Sequence, residues 1–130
     1  MFVDASALVA ILLAEHEANG FNARILDADR VLTSPLAIFE TTLALRNNRG
    51  VTLANAESDA DALIRALAIE VIDITPEIGR LAIEARARYG KGTRHPARLN
   101  LGDCFSYACA KAHAVPLLYK GDDFVHTDLA

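Results

Sequence analysis

The sequence predicts an α/β domain whose parallel sheet is covered by helices on both faces. Three observations carry that reading. Four apolar runs are short: MFV at 1–3, RVLT at 30–33, EVIDI at 70–74 and VPLLY at 115–119. Stretches with helical spacing separate each run from the next, the alternation that crossover-connected parallel strands require. Ser34-Pro35 and Thr75-Pro76 directly follow two of the runs, pairing an N-cap residue with proline at the first helical position.

Taken in order, Met1 to Val3 forms a brief buried strand, with Asp4 at its carboxyl end. Ser6 and the apolar segment Ala7 to Ala14 then turn straight into a helix. Glu15 to Asp29 gives a second helical segment with Phe21, Ile25 and Leu26 on one face and Gly20 as a weak point. After the strand Arg30–Thr33, Ser34 starts a helix that closes on Arg46 and Arg49 before Gly50, and basic residues there suit the helix dipole. Leu53 to Ala68 is amphipathic, with Leu63, Ile64 and Leu67 inward. Pro76 opens a helix to about Tyr89. Gly90 to Asn100 breaks the pattern with two Gly, one Pro and four basic residues, which reads as an exposed loop. Leu101 to Ala114 is helical again, and Gly121 to Phe124 is a turn after the last strand.

With 130 residues and no internal repeat, linker or low-complexity segment, residues 1–130 make one domain. At 52% hydrophobic residues and no Trp, the core is built mainly from Ala, Leu, Ile and Val. The formal net charge is −4, which argues against a protein that holds nucleic acid by overall charge. Cys104 and Cys109 lie about 140° apart around a helix and should not pair. No zinc spacing is present. No basic leader with a cleavage site is seen, and no apolar run approaches the roughly 20 residues that span a bilayer. The chain reads as soluble and cytoplasmic.

Isolated acids carry the functional signal. Asp4 follows the first strand, where open α/β sheets place their ligands, although Asp4 or Ser6 would equally serve as a helix cap. Glu40 lies four residues after Leu36, three before Leu43 and four before Ala44, so it projects from the apolar side of its helix. A buried carboxylate is costly unless paired or bound to a metal; an ion pair with Arg46 is the plainer explanation. Asp103 sits in a first helical turn, favourable for the dipole alone, yet its face continues through Tyr107 and Ala110. Asp122 follows the last strand, where a Gly-Asp turn also accounts for it. In a βα architecture all four fall on one rim. Gathered carboxylates repel unless a cation is present, and an all-oxygen set favours Mg²⁺ or Mn²⁺ over zinc. Such a site suits water activation and phosphodiester displacement. Lys91, Arg94 and Arg98, with His95, could contact phosphates from the loop before Asp103. The other histidines, His16, His113 and His126, have no evident partners, and Tyr107 and Tyr119 read as core.

Four segments together resemble a known family: Val3-Asp4-Ala5-Ser6, Ser34 to Glu40, Leu99 to Ala110 and Leu117 to Phe124. The pattern, which spans essentially the whole chain, is similar to that of PIN-domain ribonucleases, specifically VapC-type toxins of type II toxin–antitoxin systems. The resemblance implies a three-layer α/β/α fold with a central parallel sheet. It implies Mg²⁺- or Mn²⁺-dependent endonucleolytic cleavage of RNA, commonly a structured RNA such as tRNA, by activated water, leaving 5′-phosphate and 3′-hydroxyl ends. It also implies a homodimer held inactive by a VapB-type antitoxin. By the same resemblance Asp4 and Asp103 are the principal metal ligands, Glu40 the third acid and Asp122 the fourth, with Asp123 adjacent as an alternative. Ser6 supports Asp4 by hydrogen bonding. Two rivals remain. One is a binding module that keeps the fold without catalysis. The other is a phosphoacceptor receiver domain using Asp73 and Lys120, which leaves Glu40 unexplained and lacks a paired acid after the first strand.

Overall fold

A computed structural model describes residues 1–130. Strand β1 (Phe2–Val3) runs into helix α1 (Ala5–Leu12), followed by α2 (Ala18–Asp27), β2 (Leu32–Thr33), α3 (Pro35–Arg49) and α4 (Leu53–Ala66). Then come β3 (Glu70–Val71), α5 (Pro76–Tyr89), α6 (Leu101–Ala112) and β4 (Leu117–Leu118). All pairings are parallel and the strand order is β3-β2-β1-β4.

The two-residue alternation of a strand explains the layers. Phe2, Leu32 and Leu117 point to a core shared with α5 and α6, through Ile78, Ala82, Tyr89 and Tyr107. Val3 and Leu118 point the other way, to a core built with Ala7 and Leu8 of α1, Phe21 and Ile25 of α2 and Ile64 of α4. Helix α3 packs on α1, α4 and α6 and so bridges the two layers near the carboxyl ends of the strands. The inward face of α4 is Ala56, Ala60 and Ile64, with Leu63 and Leu67 at its border.

The strands are shorter than the apolar runs, for a local reason. The parallel ladder continues past them only as single bonds, such as Phe2 N–H to Pro116 O at 2.8 Å and Ile72 N–H to Thr33 O at 2.9 Å. Pro116 itself brings no donor to the ladder. Helix starts follow the sequence closely. Ser34, Thr52 and Thr75 each accept a hydrogen bond from the third residue of their helix. Asn100 and Asp103 form a reciprocal capping box.

The break between α1 and α2 falls where the sequence places it, at the end of the apolar run, and an alanine makes it. Ala14 adopts φ 52°, and Ala68 and Ala114 repeat the device at 51° and 52°. After each, an amide N–H reaches back five residues: Glu15 to Ala10 O, Ile69 to Ile64 O and Val115 to Ala110 O. This is the glycine position of a Schellman closure, occupied by residues that carry a Cβ penalty of roughly 1–2 kcal/mol there. Glycine removes that penalty and returns about 0.4–1 kcal/mol to the unfolded chain's entropy. Ala68→Gly and Ala114→Gly combined are therefore expected to stabilise the fold by about 1 kcal/mol, read as a higher urea midpoint at unchanged slope.

Candidate active site

Asp4 is both a cap and a site residue. One residue past β1 it turns the chain into α1, its Oδ2 accepting the Ser6 N–H at 3.0 Å and the Ser6 hydroxyl at 2.6 Å. The Ser6 oxygen in turn accepts the Lys120 N–H at 2.9 Å, which ties the start of α1 to the end of β4. On the far side, Ser106 of α6 donates to Asp4 Oδ1 at 2.5 Å. Asp4 is 5% exposed.

Glu40 reaches toward Asp4 from the second turn of α3. It forms neither a hydrogen bond nor an ion pair, and Arg46, the plainer partner, is exposed and apart from it. The Glu40 carboxylate lies directly over Gly102, in the space that a Cβ there would fill. Half-burial, then the charges of Asp4 and Asp103, push the Glu40 carboxyl up to about 7. Asp103 sits in the first turn of α6, 8% exposed, with Oδ2 accepting the Asn100 N–H at 3.0 Å. Its carboxyl is pushed up to about 6, chiefly by burial. The Asn100 N–H opposes that rise, Asp123 and Asp4 add to it, and Lys91 counters it.

The structure thus brings Asp4, Glu40 and Asp103 together, with Asp123 acting on Asp103 alone. Asp122, the fourth acid by the sequence pattern, and its neighbour Asp123 are both exposed in the turn after β4. Of the two, it is the Asp123 charge that raises the Asp103 carboxyl. The turn from Lys120, with Gly121 at φ 93°, decides which of two adjacent acids faces Asp103, and the GDD string cannot tell them apart. In the basic loop Lys91, Arg94 and Arg98 are all exposed, and the Lys91 charge bears on Asp103. His95 is a structural anchor, its ring 4.9 Å from that of Tyr89 and its Nδ1 accepting the Ala97 N–H at 3.1 Å. Two contributors were missed in the sequence, Ser106 and Gly102. Ser106 lies one turn after Asp103, a spacing that could have drawn attention to it.

The receiver alternative loses its geometry here. Asp73 is exposed beyond the edge strand β3, and the Lys120 ammonium pairs with Glu15 at 2.6 Å.

The donor chemistry fits a hard divalent cation. The donors are all oxygens, the charges of Asp4 and Asp103 raise the Glu40 carboxyl and those of Asp123 and Asp4 raise Asp103, and no Lys or Arg forms an ion pair with Asp4, Glu40 or Asp103. No three of these acids converge into a closed ligand cage. Mg²⁺ does not require one, since it keeps several waters and takes one or two carboxylates.

Comparison with known proteins agrees with this architecture. The PIN domain profile matches residues 1–129. A VapC ribonuclease of Rhizobium meliloti is 42% identical, with 98% of each chain covered. Ribonuclease VapC30 of Mycobacterium tuberculosis is 40% identical over all of this chain and 96% of its own. Among solved structures, Mycobacterium tuberculosis VapC20, a sarcin-ricin-loop-cleaving toxin, superposes with a TM-score of 0.73 at 21% identity, covering 95% of this chain and 92% of its own. A chain of a Klebsiella pneumoniae toxin–antitoxin complex gives 0.69 at 18% identity, covering 98% and 92%. The chain belongs to the PIN domain family, in its VapC branch of toxin ribonucleases.

The raised carboxyls set a pH signature. Between the ordinary carboxyl range and about 7, folded Glu40 binds more protons than the unfolded chain, so its contribution to stability falls as pH rises through that window. In EDTA, Glu40→Gln is expected to raise the melting temperature at pH 8 and to leave it little changed at pH 5, measured by circular dichroism.

Proposed function

We propose that this chain is the toxin of a type II toxin–antitoxin pair, cutting RNA endonucleolytically with Mg²⁺ or Mn²⁺ at the rim formed by Asp4 and Asp103. The observation that carries the reading is the group of buried, mutually repelling carboxylates without an internal cation. When bound, the cation would supply charge for the scissile phosphate and lower the pKa of the attacking water.

The protein's own residues prepare that event. Asp4 and Asp103 are offered from fixed positions, one held by three hydrogen-bond donors and the other by a capping box. Glu40, with its carboxyl near 7, is suited to orient the water and accept its proton at neutral pH. Asp123 completes the acid set in place of Asp122. Ser6 keeps a supporting role, since its hydroxyl is engaged by Asp4 and Lys120 and is not free to act as a nucleophile. Lys91, then Arg94 and Arg98 further out, would contact flanking phosphates. Attack by water leaves 5′-phosphate and 3′-hydroxyl ends.

The substrate proposed is a structured RNA, tRNA among the candidates. The partner proposed is a VapB-type antitoxin, a reading supported by the fold shared with a chain of a toxin–antitoxin complex. A homodimer is part of the same proposal. Exposed Phe39, Ile83 and Leu101 are apolar contacts for it, on α3, α5 and α6. No helix is long and apolar enough to cross a membrane, and the cytoplasm is the proposed compartment.

The test uses wild type and Asp4→Asn, each free of antitoxin, with total cellular RNA in Mg²⁺, Mn²⁺ or EDTA. Discrete fragments with 5′-phosphates are expected only for wild type with metal. Ends bearing 2′,3′-cyclic phosphate would exclude water attack, and cleavage surviving EDTA would sink the metal reading. No cleavage from any RNA would favour the binding module. In the same assay Asp123→Asn is expected to lower the rate by about 10²-fold or more, the order of losing a charge-stabilising group, and Asp122→Asn to leave it nearly unchanged. The reverse ranking would restore Asp122 as the fourth acid.

A further inference from the structure

Helical Ser and Thr hydroxyls usually bond back to the carbonyl one turn earlier. Thr41 and Thr42 do so, to Ala37 O and Ile38 O, each at 2.8 Å. Ser106 does not. Its hydroxyl, 2% exposed in the middle of α6, is donated to Asp4 Oδ1 at 2.5 Å, across 102 positions of chain. The short distance is that of a charge-assisted bond.

A carboxylate offers about four lone-pair positions. Three of those on Asp4 are occupied: two on Oδ2 by the Ser6 N–H and hydroxyl, and one on Oδ1 by Ser106. One remains, on Oδ1, and Ser106 determines its direction. We infer that Ser106 is a positioning residue that fixes the direction of the one free position on Asp4 and thereby favours small octahedral cations over Ca²⁺. The inference rests on the divalent-cation reading above. It adds that the helix carrying Asp103 also sets the donor direction of Asp4, so the two acids are placed relative to each other by one rigid element.

The physical consequence concerns selectivity as well as affinity. Mg²⁺ demands near-ideal octahedral ligand directions, whereas Ca²⁺ accepts irregular shells. Removing the Ser106 hydroxyl frees a second position on Oδ1 and leaves the donor direction unset, while Ser6 still holds both positions on Oδ2.

The measurement is direct binding, without RNA: Mn²⁺ and Ca²⁺ titrations by calorimetry on metal-free wild type and Ser106→Ala, each checked for folding by its melting curve. Loss of a hydrogen bond that orients a ligand typically weakens metal binding by about 10–100-fold. Ser106→Ala is expected to weaken Mn²⁺ by about tenfold while Ca²⁺ affinity holds or rises. Unchanged Mn²⁺ affinity in a folded variant overturns the inference. Equal weakening of both ions also overturns it, because a loosened fold would do that. Should Ser106→Ala not fold, Ser106→Cys, close in size and a weak donor, is read against the same outcomes. Failure of wild type itself to bind Mn²⁺ rejects the cation reading, and this inference with it.

Discussion

Repulsion among Asp4, Glu40 and Asp103 is the constraint to which the rest of the rim is fitted. Carboxylates brought together under partial burial cost free energy unless protonated or neutralised, and the folded chain supplies little neutralisation of its own. Lys91 is the single cation that bears on Asp103, and the Lys120 ammonium is turned away to Glu15. The fold maintains the arrangement by attaching each acid to a different rigid piece. Asp4 follows the central strand β1, Glu40 rides on α3, and Asp103 is locked into the first turn of α6. None can retreat without disturbing the packing that holds its element. Stability is given up locally at the rim, the usual relation between strained functional sites and the folds that carry them.

The close approach of α3 and α6 is the second condition. Gly102 allows it, because any side chain there would occupy the space of the Glu40 carboxylate. The same turn holds the capping box of Asn100 and Asp103. One short segment, Asn100 to Asp103, therefore admits one acid, orients a second and starts the helix whose Ser106 holds the third. A Gly102→Ala change would act on Glu40 although it removes no functional group.

Much of this was legible in the sequence, and the reasons divide cleanly. The parallel α/β arrangement followed from short apolar runs alternating with capped helices, because Ser34-Pro35 and Thr75-Pro76 are local signals that tertiary packing did not override. The central acids were legible because each breaks a local pattern. Glu40 interrupts an apolar face, and Asp4 ends a strand. What stayed hidden depends on contacts between distant segments or on one dihedral angle. The choice between Asp122 and Asp123 turns on the backbone after Lys120. Ser106 looks like any small helical residue until Asp4, far away in the chain, is placed beside it. The break after α1 was legible where the apolar run gives way to Glu15; what stayed hidden is that alanine, a strong helix former, takes the left-handed position there.

Charge raises the last question, how a chain of net charge −4 with an acidic site could receive a polyanion. Overall steering works against it, so attraction has to be local and reversed in sign at the rim itself. The loop from Gly90 to Leu99 is built for that. Its ends are bridged, Lys91 N–H to Leu99 O at 3.1 Å and Leu99 N–H to Tyr89 O at 2.8 Å, while Ala97 and Leu99 are buried in the core. His95 packs edge-on against Tyr89. Arg94 and Arg98 hold φ angles of 65° and 52°, conformations that a free loop would rarely sample and that the anchored ends impose. Basic side chains on a pinned loop surrender less freedom on contacting phosphate than the same charges on a mobile tail. Lys91 is the charge of this loop that bears on Asp103, and under the proposed function a cation at the rim would add its positive field to that of Lys91.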